Sequence, residues 1–231
     1  MSFVVPVSAV TAIPVAGQLA LFPVHRIYCV GRNYEDHARE MGATGREPPF
    51  FFLKPADAAC HSQSDTPLEL PYPGLTNNLH HEIELVVAIG KGGSAIEPAN
   101  ALEHVFGYAV GLDMTRRDLQ NDMKKQGRPW CIGKAFEMSA PIGTISPADA
   151  VPHIQTAAIS LDVNGETRQS SSINNLIWSV AETIAQISLG WTLQPGDLIY
   201  TGTPAGVGAV KPGDILHGKI DGLNDLRVRI L

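Results

Sequence analysis

The run from Leu79 to Ile89 restricts this chain more than any other, because it sets two carboxylates, Glu82 and Glu84, into an otherwise apolar stretch. Leu79 to Ile89 reads as one strand. Residues two apart on a strand face the same side, so Glu82 and Glu84 project together. A third carboxylate, Asp113, ends another apolar run from Val105 to Leu112. Neighbouring carboxylates in a partly desolvated site either take up a proton or share a cation. Mg2+ or Mn2+, hard ions that prefer oxygen ligands, suit such a set. On a solvated edge strand neither would be needed.

A chain of 231 residues can build one good-sized core, and nothing in it marks a boundary between two domains. Its 22 Gly and 17 Pro imply many turns and favour strands over helices. The net charge of -6, with no run of Lys or Arg, argues against nucleic acid or an anionic membrane as partner, so an anionic substrate must meet locally placed cations. Met1 to Pro23 is apolar but has no basic start and is broken by Pro6 and Pro14, which fits neither a signal peptide nor a membrane span. Cys29, Cys60 and Cys131 are an odd, widely spaced set that suits reduced thiols in a cytosolic protein.

Arg26 to Gly31 reads as a buried strand. Asn33 then caps a short helix from Tyr34 to Met41, ended by Gly42 and followed by a turn-rich loop to Phe50. Val105 to Leu112 is a strand that delivers Asp113 to a junction. There, Thr115 to Asp118 has the form of a capping box for a helix closed by Lys124, Lys125 and Gly127. Ala158 to Ser170 is a hairpin about Asn164-Gly165. Leu176, Ile177, Val180, Ile184 and Ile187 recur at helical spacing up to Gly190, a packing helix. Two Pro-Gly-Asp turns frame Leu198 to Gly208, and two strands finish the chain, giving a mostly β domain with a few helices.

His37 and Glu40 share one face of the short helix, within hydrogen-bonding reach, so the carboxylate can raise the basicity of the imidazole for work on water. Lys134 has apolar or small neighbours. It reads as a stem snorkelling to solvent, as a fixed cation that stabilises an oxyanion, or as a Schiff-base former, and nearby carboxylates favour the fixed cation. Thr201-Gly202-Thr203-Pro204 lacks a Walker ending; its glycines let backbone N–H groups and a Thr hydroxyl approach a substrate carboxylate. Adjacent His80 and His81 face opposite ways, and only His80 has the parity to join Glu82 and Glu84 in a mixed site for zinc or iron.

Six blocks in order resemble the fumarylacetoacetate hydrolase family: Gly31-Arg32-Asn33-Tyr34-x-x-His37-x-x-Glu40-Met41, Phe52-Leu53-Lys54-Pro55, His80-His81-Glu82-x-Glu84-Leu85, Leu112-Asp113-Met114-Thr115-x-Arg117-Asp118-x-Gln120, Lys134-x-Phe136 and Thr201-Gly202-Thr203-Pro204-x-Gly-Val-Gly. Within it the chain is similar to the short acylpyruvate-cleaving members, above all the bacterial fumarylpyruvate hydrolases. The resemblance implies an α+β, mostly β fold, a mixed β-sandwich roll over residues 26–231, with 1–25 as an extension packed on it. It implies a cytoplasmic homodimer of aromatic (gentisate) catabolism. Mg2+ or Mn2+ would be held by Glu82, Glu84 and Asp113, and a His37–Glu40 dyad would lie on a lid. Lys134 and Thr203 would contact substrate, and Arg117 and Gln120 would lie near the pocket.

The reaction expected from this is hydrolysis of the bond between C3 and C4 of a 2,4-dioxo acid. The metal would act as Lewis acid, the dyad would deprotonate water, and Lys134 would face the charge of the departing pyruvate enolate. Arg32, Lys54 and Arg116 are candidates for a second, distal carboxylate. The nearest alternatives use the same site without water attack: oxaloacetate decarboxylation, or isomerisation or hydration of an unsaturated oxo acid. A binding protein without activity is a further alternative.

Overall fold

The apolar runs assemble into a six-stranded mixed sheet in the computed structural model, which describes residues 3–35, 46–62 and 66–231. Its order is Ser146–Pro147, Val105–Leu112, Ile83–Ile89, Leu198–Tyr200, Ile27–Gly31 and Phe50–Lys54. Every pairing is antiparallel except that between Leu198–Tyr200 and Ile27–Gly31. A five-stranded sheet follows the order Glu166–Ser172, Ala158–Val163, Ile215–Ile220, Leu226–Ile230 and Leu68–Leu70. The main core lies between the two sheets, where Leu85, Val87 and Val110 of the first meet Leu161, Leu216 and Val228 of the second. At Gly218 the sheets come so close that a Cβ would lie 2.6 Å from Ile83 Cδ1, so any larger residue would have to displace that side chain.

The Ile83–Ile89 strand is buried along its whole length. Leu85, Val87 and Ile89 face the main core. Val86 and Ala88, with the parity of Glu84, face a second cluster with Ile13, Val15, Phe22 and Val24. Both faces being covered explains why the run lacks polar alternation.

The structure departs from the expected elements in three places. Leu79 to Ile89 is not one strand: Leu79–His81 belongs to a separate three-stranded sheet with Thr115–Arg116 and Gly208–Val210, and Glu82 occupies the break. The capping box at Thr115 does not form, because Thr115 pairs with His80 in that sheet and the helix starts at Arg117. Asp118 accepts instead from Thr76 Oγ1 at 2.6 Å and Asn77 N at 3.1 Å. The later helix spans Val180–Gly190 and excludes Leu176 and Ile177, because Ser179 and Glu182 make a reciprocal capping box. As expected, its Val180, Ile184 and Ile187 are buried. The helix expected over residues 34–41 falls largely among residues 36–45, outside the described residues. The hairpin turns at Asn164 and Gly165, with φ of 53° and 82°, as a type I′ turn requires.

Candidate metal centre

Two strand ends converge to build the site. The Val105–Leu112 strand ends one residue before Asp113, whose N–H donates to the Glu82 carbonyl at 2.9 Å. The break at Glu82 and the first turn of the neighbouring strand then place Glu82, Glu84 and Asp113 around one point. One oxygen from each lies within 4.8 Å of the others, and all three residues are buried. Three hard oxygen donors so close are the chemistry of a divalent-cation site, and they fit Mg2+ or Mn2+.

Three buried cations balance the three carboxylates. Lys134 Nζ donates to Glu82 Oε2 at 2.7 Å and to Asp113 Oδ2 at 2.6 Å. Lys54 Nζ lies 2.9 Å from Asp113 Oδ1 and also donates to the Lys134 and Met114 carbonyls. Arg117 donates to Glu82 Oε1 and to the Gln120 side-chain oxygen. Among the described residues no such cation meets the Glu84 oxygens; the Gly202 N–H donates to its Oε2 at 2.8 Å. Burial, then the charges of Asp113 and Glu82, push its carboxyl well above the usual range, against the pull of Lys134 and Gly202. Burial alone would lower the Lys134 ammonium, but Asp113 and Glu82 outweigh it and its pKa is raised. Lys134 is therefore a held cation, not a neutral Schiff-base amine.

Beside the carboxylates opens a cavity lined by Arg32, Glu82, Glu84, Asp113, Arg117, Gln120, Lys134 and Thr203. One wall is aromatic: Phe50, Phe52 and Trp130 line it, with Phe50 edge-on to Trp130 at 5.4 Å. Gly31 also lines the cavity, and a Cβ there would lie 2.0 Å from the Phe50 ring. None of these aromatic residues stands out for the site in the sequence, where Phe50 to Leu53 is simply an apolar run and Trp130 a lone aromatic.

The structure brings together most of the residues singled out from the sequence, but not all. His37 and Glu40 lie outside the described residues. Lys54 is not among the residues lining the cavity; it stands behind Asp113 with its ammonium engaged by two carbonyls. Arg116 stacks on Phe136, 4.3 Å from the ring centre, and donates to the Ile132 carbonyl, again outside the lining. His80 does not join the carboxylates: its Nε2 meets Asn78 Oδ1 at 3.0 Å, and burial and Arg117 bring its pKa down to about 4. Asn33 donates from Nδ2 to the Trp178 and Thr201 carbonyls at 3.0 and 2.8 Å and accepts at Oδ1 from Trp178 N–H at 2.7 Å, and so anchors the loop that carries Thr203. The helix it is expected to cap falls largely outside the described residues.

Arg32 is unusual among the lining residues. Its backbone is left-handed, with φ of 58°, and its buried Nε has no partner among the described residues. Strained backbone and buried donors without a protein partner are features that cluster at functional sites.

Residues 26–231 match the family described as fumarylacetoacetate (FAA) hydrolase C-terminal. The chain belongs to the fumarylacetoacetate hydrolase family. Among family relatives it is 45% identical over 184 residues to a fumarylpyruvate hydrolase of Ralstonia sp, covering 80% of this chain and 93% of that one. It is 43% identical over 204 residues to a mitochondrial oxaloacetate tautomerase of Rattus norvegicus, covering 88% and 90%. Among solved structures, fumarylpyruvate hydrolase from Pseudomonas aeruginosa, in complex with Mn2+ and pyruvate, is 57% identical, with a TM-score of 0.97 over 100% of this chain and 99% of that one. The mostly β sandwich inferred from the sequence is thus the family fold.

Proposed function

We propose that this protein is a divalent-metal-dependent hydrolase that cleaves the C–C bond of an acylpyruvate, with fumarylpyruvate giving fumarate and pyruvate. The observation that carries the reading is the buried triad of Glu82, Glu84 and Asp113 opening onto a cavity with Arg32, in a chain 57% identical to an enzyme solved with Mn2+ and pyruvate.

Glu82, Glu84 and Asp113 would hold the ion, which supplies Lewis acidity toward the 2-oxo acid end of the substrate. Lys134 keeps a positive charge at the edge of the triad, where negative charge develops on the pyruvate half. Arg117 fixes Glu82 and Gln120 at the cavity wall. Thr203 offers its hydroxyl to the substrate carboxylate. Arg32, which lines the cavity and whose buried Nε has no partner among the described residues, is the cation for the distal carboxylate of a fumaryl group; Lys54 and Arg116, outside the lining and engaged by backbone carbonyls, are not. His37 and Glu40 take the proton from the attacking water. A cytosolic homodimer with Mg2+ as resident ion completes the proposal.

Steady-state turnover of fumarylpyruvate, acetylpyruvate and oxaloacetate, with and without Mg2+, tests it. Metal-dependent turnover with fumarylpyruvate preferred is expected. Tautomerisation of oxaloacetate without acylpyruvate cleavage would favour a second reading, that of the tautomerase relatives.

A further inference from the structure

Gln169 touches neither the cavity nor the carboxylates, yet it is fully buried in a strand, Glu166–Ser172, whose other residues are polar and largely solvated. Its amide makes four hydrogen bonds. Oε1 accepts from Ile83 N–H at 3.1 Å and from His81 Nδ1 at 2.9 Å. Nε2 donates to the Pro204 carbonyl at 2.8 Å and to Thr203 Oγ1 at 2.8 Å.

Two of these partners leave no choice of orientation. A backbone N–H can only donate and a carbonyl can only accept, so Ile83 fixes Oε1 on one side and Pro204 fixes Nε2 on the other. His81 must then carry its proton on Nδ1. Thr203 Oγ1 must accept from Gln169, which leaves its own proton to be donated elsewhere. Among the described residues that hydroxyl makes no other hydrogen bond, and Thr203 lines the cavity.

The same strand seats the loop that carries Thr203. Gly206, at φ of 93°, packs against it so tightly that a Cβ would lie 2.1 Å from the Arg168 carbonyl. Gly208 continues the loop into the ladder with His81. Both ends of the relay are therefore held by the backbone on which it acts.

We infer that Gln169 is a positioning residue: held by Ile83, His81 and Pro204, it polarises the Thr203 hydroxyl and aims its proton into the cavity, as a preset donor for the carboxylate of a 2-oxo acid. The inference deepens the proposed function and rests on reading this cavity as an oxo-acid site. A hydroxyl free to rotate would pay an ordering cost on binding; one locked in the donating direction does not.

The test is pyruvate affinity, measured by isothermal titration into the full-length protein saturated with Mn2+, alongside Mn2+ affinity itself. Gln169→Glu keeps the side-chain size but replaces the Nε2 donor with an acceptor, which draws the Thr203 proton away from the cavity. Pyruvate should bind roughly tenfold to a hundredfold more weakly, the worth of a hydrogen bond to a charged group. Mn2+ affinity should stay within about twofold, and in a Thr203→Val background the same change should alter pyruvate affinity by less than about twofold. Undiminished binding overturns the inference. So does an equal loss in the Thr203→Val background, which would mark Gln169 as a packing residue only. Gln169→Glu also sets a carboxylate against the Pro204 carbonyl. Should it fail to fold, Gln169→Met replaces it in the same cycle, with a smaller loss expected, again only when Thr203 is present. If the native protein binds Mn2+ but no pyruvate, the functional reading falls and the relay with it; if it binds both and only the Gln169 cycle fails, the relay alone falls.

Discussion

Glu84→Gln should remove metal binding and yet stabilise the metal-free protein. Glu84 has two carboxylate neighbours, with oxygens within 4.8 Å of one another, and among the described residues its side chain accepts only from Gly202. At that separation each repulsion is worth about 3.5 kcal/mol in an effective dielectric of 20. Lys134 offsets part of this repulsion. Neutralising one member of a crowded like-charge set relieves that repulsion, of which about 1–3 kcal/mol survives relaxation and proton uptake, and here Gln also presents an NH2 donor to the other carboxylates while its oxygen still accepts from Gly202. For a chain of this length, 1–3 kcal/mol of stabilisation raises Tm by about 2–12 °C. The sign with pH follows from the raised carboxyl. Below the ordinary carboxylate range Glu84 is protonated in both folded and unfolded chains and nothing is lost. As pH rises the unfolded chain ionises first, so the native protein loses stability up to the elevated native pKa. The gap between variant and native protein should therefore be small near pH 4 and widest near pH 8. Mn2+ at about a hundred times its Kd should raise the native Tm, since such saturation is worth about 2.7 kcal/mol, and should leave the variant unmoved. Scanning calorimetry in EDTA and in Mn2+ reads both effects. A variant less stable than the native protein in EDTA at pH 8, or one that retains the Mn2+ shift, would refute the reasoning.

Removing Lys134 should act in the opposite direction. Lys134→Met strands Glu82 and Asp113 without their shared ammonium, at a cost of about 3–5 kcal/mol, and bound Mn2+ should restore part of the lost Tm. Arg32→Met should lower kcat/KM for fumarylpyruvate roughly tenfold to a hundredfold while sparing acetylpyruvate, which has no distal carboxylate; equal losses on both substrates would remove Arg32 from the distal subsite. Gly206→Ala forces a Cβ against the Arg168 carbonyl at a left-handed position. It should lower stability by about 1–3 kcal/mol and raise KM through displacement of Thr203, as thermal denaturation and steady-state kinetics would show.

The parts of the site legible in the sequence were those written locally. Val105 to Leu112 ends in a carboxylate that the strand delivers to the cavity, and Asn164-Gly165 supplies the two positive φ values its turn needs. The break at Glu82 was not legible, because both strands flanking it are buried and read as one apolar run; only the distant partners Thr115–Arg116 and Gly208–Val210 distinguish them. Leu176 and Ile177 fit the helical period and masked the true start, which the reciprocal capping box of Ser179 and Glu182 sets. Lys54 shares the family blocks with cavity residues, and only tertiary contacts with Met114, Asp113 and Lys134 turn it away. Gln169 left no local signal: Glu-Thr-Arg-Gln-Ser-Ser-Ser has no alternation that singles out its one buried side chain.

The most direct test of the account is an anomalous-difference map at the manganese edge, from crystals grown with Mn2+. A peak should lie within about 2.5 Å of an oxygen from each of Glu82, Glu84 and Asp113, with Lys134 displaced from at least one of its two carboxylates. A peak elsewhere in the molecule, or none at saturating Mn2+, would contradict the central claim that these three side chains grip one ion.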